Sequence, residues 1–135
     1  MMRSLALAVT LLFAASSPLR ADDLSDARTV ISAQAEAFSR DDGATAYAQA
    51  APLVQQIFPQ IETFMAMVRS GYAPVYRHRS FEFGKAGVVD GKISQLVNII
   101  DDKGEAWDAL YTLERQSDST LKITGCTLLK ASGTV

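Results

Sequence analysis

The chain has 135 residues, 48% of them hydrophobic and 21% charged, with 13 basic side chains against 15 acidic ones, a single histidine and a single cysteine. That balance gives nothing to draw the protein to nucleic acid or to anionic lipid, and a lone cysteine excludes an intrachain disulfide. Length and apolar content suit one domain whose core must hold by packing alone.

Residues 1 to 21 read as a secretory signal peptide. Arg3 provides the positive start, and Leu5 to Ala15 is an unbroken apolar run of about 11 residues, long enough for the core of a signal and too short to span a bilayer. Small residues follow at Ala15, Ser16 and Ser17. Pro18 argues against cleavage after Ser17. Cleavage after Ala21 leaves Asp22 as the first residue, with Leu19 larger than usual at the −3 position. The rival reading is an uncleaved anchor. Loss of Arg3 and Arg20 reduces the basic side chains from 13 to 11 while all 15 acidic ones remain, so the mature part carries a net charge near −4. The expected product is exported, to the periplasm of a Gram-negative cell or otherwise outside the cell, with no stable membrane anchor after processing. Residues 22–130 form the expected single domain, and 131–135 a frayed tail.

The first half of that domain reads as helix. Asp23 is placed to cap, with Asp26 three residues on. Leu24, Ala27, Ile31, Ala35 and Phe38 then recur at helical spacing and form one apolar stripe. The run Arg40-Asp41-Asp42-Gly43 ends this helix, and Asp42 can cap a short second one over 43–50. Pro52 suits the first turn of a third, which ends at Phe58 before Pro59. A fourth covers about Ile61 to Ser70, with Ile61, Phe64, Met65 and Val68 on its apolar face and Gly71 at its stop.

The second half reads as strand. Phe81 and Phe83 alternate with polar or small residues, and Asp90-Gly91 is a two-residue hairpin signal. The second strand covers Lys92 to Asp101, the third Glu105 to Arg115 and the fourth Leu121 to Lys130, joined by turns at 102–104 and 116–120. The expected fold class is α+β: N-terminal helices packed on a curved four-stranded antiparallel meander. Ile93, Gln95, Val97 and Ile99 share one strand face, as do Trp107, Ala109, Tyr111 and Leu113. Leu96, Ile100 and Leu110 lie on the other. One sheet face then meets the helices, and the other invites a second copy of the chain or another protein.

These residues resemble a proteobacterial family of domains of unknown function, family 4864. The resemblance is carried by Ile31-Ser32-Ala33-Gln34 with Ala37-Phe38, Asp41-Asp42-Gly43-Ala44, Ala51-Pro52, Met67-Val68-Arg69-Ser70-Gly71-Tyr72, Pro74-Val75-Tyr76-Arg77, Gln95 and Gly125-Cys126-Thr127-Leu128. It spans essentially the whole mature domain and departs at His78, where the family pattern has proline. It implies an architecture similar to the nuclear-transport-factor-two-like, or cystatin-like, α+β cone. It implies no reaction, since that cone hosts isomerases, dehydratases, hydrolases, dimerisation modules and ligand carriers alike.

The chemistry-bearing residues are few. His78, Cys126 and scattered carboxylates give no metal-ligand spacing, and there is no nucleophile elbow, phosphate loop or dinucleotide fingerprint, so no metal or cofactor is expected. His78, between Arg77 and Arg79, reads as solvent-facing. Cys126 reads as a small buried hydrophobe, and Phe58, Phe64, Met65 and Met67 as core. Asp101 and Asp108 are the strand carboxylates available for acid–base work, Asp108 on the face opposite Trp107. The favoured constellation is polar and aromatic: Tyr72, Tyr76, Trp107 and Tyr111 with Gln95, Arg69 and Arg77, able to receive a small ligand that is partly apolar or anionic. The plainer alternative has the tyrosine hydroxyls and Gln95 tying the 71–77 loop to the sheet while Arg69 pairs with a carboxylate. Three functional readings follow. The first is a non-catalytic exported domain with a small-ligand pocket or a homodimer face. The second is a cone-fold enzyme moving protons with Tyr111, Gln95 or Asp108. The third is an accessory subunit that docks another envelope protein.

Overall fold

The structure, a computed structural model, describes residues 21–89 and 91–131. The signal-peptide reading falls outside these residues apart from Ala21, as do Asp90 of the hairpin turn and the tail beyond Ala131. Five helices precede four strands: α1 Ala21–Ser39, α2 Gly43–Ala48, α3 Pro52–Ile57, α4 Ile61–Gly71, α5 Ala73–Tyr76, β1 His78–Val89, β2 Lys92–Asp101, β3 Ala106–Arg115 and β4 Leu121–Lys130. The strands form one antiparallel sheet in the order β1-β2-β3-β4, the expected meander.

The stripe read on α1 is the face it buries: Ala27, Ile31, Ala35 and Phe38 are all buried, together with Gln34 and Ala37. They lie against Val97, Ile99, Ala109, Tyr111 and Leu113, the inner face of the sheet. A buried phenylalanine of this kind contributes about 3–5 kcal/mol. Asp23 does not cap α1. It lies inside the helix, and both it and Asp26 receive Arg115 Nη2 at 2.7 Å. An ion pair with the far end of the sheet thus takes the carboxylates that local spacing assigned to a capping box. The C-terminus of α1 ends as expected at the Arg40–Gly43 run. Asp41 adopts φ 54° there, and its N–H and that of Asp42 reach back to the carbonyls of Phe38 and Ala37. This is the left-handed helix stop usually made by glycine, which aspartate tolerates.

Asp42 caps α2, its Oδ1 accepting the Thr45 N–H at 3.2 Å, and Pro52 opens α3. Between those helices the chain pairs briefly with β4: Ala51 N–H donates to the Ile123 carbonyl at 2.8 Å, and Ile123 N–H to that of Gln49 at 2.9 Å. The contact covers part of an otherwise open edge strand and holds α3 beside the sheet. α4 buries Phe64, Met65 and Val68. The stretch after Gly71, read from sequence as a turn, contains the four-residue α5, too short to leave a periodic signal.

Two irregularities bend the sheet. Between Phe83↔Val97 and Ala86↔Gln95, two residues of β1, Gly84 and Lys85, face Leu96 alone. The Gln95 side chain, fully buried, occupies this bulge. Its Nε2 lies 3.1 Å from the Gly84 carbonyl, 3.4 Å from that of Lys85 and 2.7 Å from that of Leu96, while Arg28 Nε donates to its Oε1 at 3.5 Å. The second irregularity lies in β4, where Thr112 faces Gly125 but Leu113 faces Ile123. It reverses the alternation of β4, so Ile123 and Cys126 both reach the inner face.

The first hairpin turns as read, with Val89 opposite Lys92 and Gly91 at φ 75°. At the second, Asp101 is buried. Its Oδ1 accepts the N–H groups of Lys103 and Glu105 at 2.9 and 2.8 Å, and its Oδ2 accepts Trp107 Nε1 at 3.0 Å. At the same end of the sheet, Ala131 N–H donates to the Ala106 carbonyl at 3.1 Å and extends the pairing of β3 and β4 by one residue.

Gln95→Leu should lower stability by about 1–3 kcal/mol in urea unfolding, because it strands the carbonyls of the β1 bulge; a loss under about 0.5 kcal/mol would mean the amide is dispensable. A second outcome concerns acid. Burial raises the pKa of Asp101, but the Glu105 N–H, the Trp107 indole, the Lys103 N–H and the Lys103 charge together hold it below the ordinary 3.8. The folded state therefore binds this proton less readily than the unfolded state. The stabilisation is complete above pH 3.8 and is lost as pH falls through the lower folded value. Urea midpoints followed downward from pH 5 should fall more steeply for the wild type than for Asp101→Asn, and parallel curves would refute the assignment.

Candidate functional site

The helical layer does not fill the space over the C-terminal half of the sheet. Between α1, α3, α4, α5 and the inner face of β3 and β4 lies a cavity of about 160 Å³. Gln34 and Phe38 line it from α1, Val54, Ile57 and Phe58 from α3 and its end, and Phe64, Met67 and Val68 from α4. Tyr72 and Val75 close it on the α5 side. Ala50, Tyr111, Ile123, Gly125 and Cys126 form its floor. α3 buries none of its own residues, and Ile57, 64% exposed, stands at the rim. A larger hollow of about 580 Å³ runs along the outside of α1, but among the described residues only that helix lines it, so no second wall encloses a ligand there.

Three of the polar side chains of the cavity, Tyr72, Tyr111 and Cys126, lie at one corner. Tyr111 and Cys126 are direct cross-strand partners. Tyr72 donates its hydroxyl to the Cys126 carbonyl at 2.9 Å. Gln34, on the opposite wall, donates Nε2 to the Ala46 carbonyl at 3.2 Å. Burial pushes Tyr111 well above its ordinary 10.0, with the nearby Cys126 adding to the shift. Burial likewise raises Tyr72. The Cys126 thiol is pushed up to about 12 by burial, with the Tyr111 hydrogen bond opposing. None of the three ionises near neutral pH, and among the described residues no charged side chain lines the cavity.

The seven residues singled out from sequence therefore divide. Tyr72 and Tyr111 line the cavity. Gln95 is equally buried but belongs to the β1 bulge. Trp107 is half-buried on the inner side of β3, bonded to Asp101 and covered by the Lys130 ammonium 5.8 Å from its ring centre. Tyr76, Arg69 and Arg77 form a separate cluster with Asp41. Arg77 donates to Asp41 Oδ1 at 3.0 Å and to the Phe38 carbonyl at 2.8 Å, so it satisfies the exposed end of α1. The Tyr76 hydroxyl donates to Asp41 and receives Arg69 Nε at 3.3 Å. The Tyr76 hydrogen bond and then that of Arg77 hold Asp41 below the ordinary carboxylate value. Both guanidinium groups lie over the Tyr76 ring, at 4.4 and 5.6 Å. This cluster joins α1 to α5 and presents no open cation to the cavity.

Sequence reasoning did not single out Gln34, Met67 and Cys126 as lining. The available signal was the break in alternation between Ile123 and Cys126 at Gly125, which brings the thiol to the floor of the cavity. Asp108 lies on the outer face of the sheet, opposite Asn98 and Leu129. His78, half-buried, sets Nδ1 3.1 Å from the Val75 carbonyl and packs its ring 4.9 Å from that of Phe81. Among the described residues, no three His, Cys, Asp or Glu side chains converge as a metal site would require, and no helix is long and apolar enough to cross a membrane.

No curated protein and no solved structure matches the chain. A family of domains of unknown function, DUF4864, matches residues 20–135. With nearly the whole chain covered, and with the Met67–Tyr72 and Gly125–Leu128 segments that carry the resemblance meeting at the cavity wall, the protein belongs to the domain-of-unknown-function family DUF4864.

Proposed function

We propose that the protein is an exported, non-catalytic domain that binds a small apolar molecule in the cavity between its helices and β3–β4. The observation that carries this reading is the cavity itself: about 160 Å³, walled mainly by aliphatic and aromatic side chains, with polar side chains at the Tyr72–Tyr111–Cys126 corner and Gln34 on the opposite wall. An engineered cavity of roughly 150 Å³ lined by similar residues stays dry and takes up benzene, so this one suits a ring or a short branched chain. The neutrality of the lining supports a binding role over an acid–base one. Proton transfer is efficient when the catalytic group titrates near the working pH, and Tyr72, Tyr111 and Cys126 are all shifted upward, away from it. Asp101, the buried strand carboxylate, is committed to the second hairpin.

The export reading rests on the apolar run that follows Arg3 and on a family match that begins at residue 20. A second reading, self-association, is favoured by one observation: Val88, Leu110 and Leu129 are exposed, the last at 60%, with Leu110 and Leu129 on the sheet face turned from the helices. Native mass spectrometry of protein recovered from its own cell envelope should return a chain beginning at Asp22. A chain still carrying residues 1–21 would overturn the export reading, and a doubled mass would support the homodimer.

The binding reading is tested by titrating the mature domain with toluene. Ligand at a hundredfold excess over Kd stabilises a folded protein by about 2.7 kcal/mol, and the melting temperature should rise accordingly. Val54→Phe, which places a ring at the mouth from the half-buried side of α3, should abolish the rise without lowering the melting temperature of the free protein. Absence of any shift in the wild type would sink the reading.

A further inference from the structure

The polar corner of the cavity specifies its ligand more narrowly than volume does. The Tyr111 hydroxyl is among the most deeply buried polar groups of the domain, on a residue that is 1% exposed. The side chain that faces it across the strands is that of Cys126, whose sulfur is a weak acceptor. A phenolic O–H held in an apolar site against sulfur forgoes most of what an oxygen acceptor would return. Tyr72 stands beside it with its own proton already given to the Cys126 carbonyl at 2.9 Å. The corner therefore holds one strong donor whose cross-strand neighbour offers it only sulfur. Among the described residues no positive charge lines the cavity to meet an anion, since Arg69 and Arg77 lie outside it on Asp41, Tyr76 and the end of α1.

Resting on the binding reading above, we infer that the ligand is an uncharged, compact and mainly apolar molecule with a single oxygen acceptor, of the ketone or ether class, which accepts a hydrogen bond from the Tyr111 hydroxyl. An anionic ligand such as a carboxylate would be stripped of water with no counter-charge to meet it, a loss that one neutral donor does not offset. A hydrocarbon would fill the space but offer the hydroxyl no acceptor.

Three probes of matched heavy-atom count separate these cases: acetophenone, cumene and benzoate, each titrated calorimetrically into the mature domain at neutral pH. Acetophenone should bind about three- to tenfold more tightly than cumene, the range that one net hydrogen bond supplies, and benzoate should not bind measurably. Tyr111→Phe should remove the preference, reducing the affinity for acetophenone to about that for cumene. Should that variant fail to fold, Cys126→Ser gives Tyr111 an oxygen partner within the protein, and the preference for the ketone should shrink. Equal binding of acetophenone and cumene, or an unaltered preference in both variants, overturns the donor assignment and leaves the cavity reading standing. Tight binding of benzoate overturns the uncharged class. If no probe binds at all, the cavity reading itself fails.

Discussion

The concave side of this domain depends on how the sheet is bent, and one bend is held by a single buried amide. At the Gly84–Lys85 bulge the ladder loses its regular partners, and Gln95 supplies donors to the freed carbonyls from the neighbouring strand. A bulge of this kind increases local twist and bends its strand. Arg28 then anchors the same amide to α1, and its guanidinium lies 5.4 Å from the centre of the Phe83 ring. Helix, bulge and second strand are thereby fixed to one another one strand away from Tyr111, the residue that faces Gln95 across β2 and β3. A buried polar group placed this way is costly when half-satisfied and rigidifying when fully satisfied, and here every proton and lone pair that matters has a partner.

The cavity arises from a mismatch in length. α1 is 19 residues long and crosses the sheet, while α3 has six residues and buries none of them. α3 is held at its ends. Ala51 pairs with Ile123 before it, and after it the Tyr47 hydroxyl donates to the Phe58 carbonyl at 2.6 Å. Gln55 returns Nε2 to the carbonyls of Tyr47 and Ala50. A short helix fastened by polar contacts at its edges, with Val54 only half-buried against the core, does not fill the space beneath it. The second irregularity of the sheet, in β4, then determines what that space meets, because it brings the Cys126 side chain to the inner face beside Tyr111.

Much of this was legible in the residues. The apolar stripe of α1, the cap at Asp42, the proline at the start of α3 and the pairing of Val89 with Lys92 follow from local signals, and each forms where its spacing indicates. The alternation along β2 and β3 named the inner face correctly from Ile93 to Leu113. The misplaced expectations share a cause: they depended on contacts between residues distant in sequence. Asp23 follows the local rule for a cap but meets Arg115, 92 residues on. Gln95 has the marks of a pocket residue, a polar group on an apolar face, yet its obligation is discharged by a bulge whose existence no local pattern announces. The same holds for Arg77, whose carbonyl partner lies 39 residues earlier.

The separation of charge from cavity follows from the same arrangement. The left-handed turn at Asp41 leaves a carboxylate and the exposed end of a helix side by side, and both call for a cation. α5 follows α4 closely enough that Arg69, Tyr76 and Arg77 all reach this point. Both guanidinium groups lie over the Tyr76 ring, and the same ring packs against Phe38, with ring centres 5.5 Å apart. Phe38 in turn is a wall of the cavity. The two arginines that from sequence alone promised to receive an anion instead close the back of an apolar chamber, and that chamber is neutral because the structural needs of the α1 terminus have already taken the positive charge.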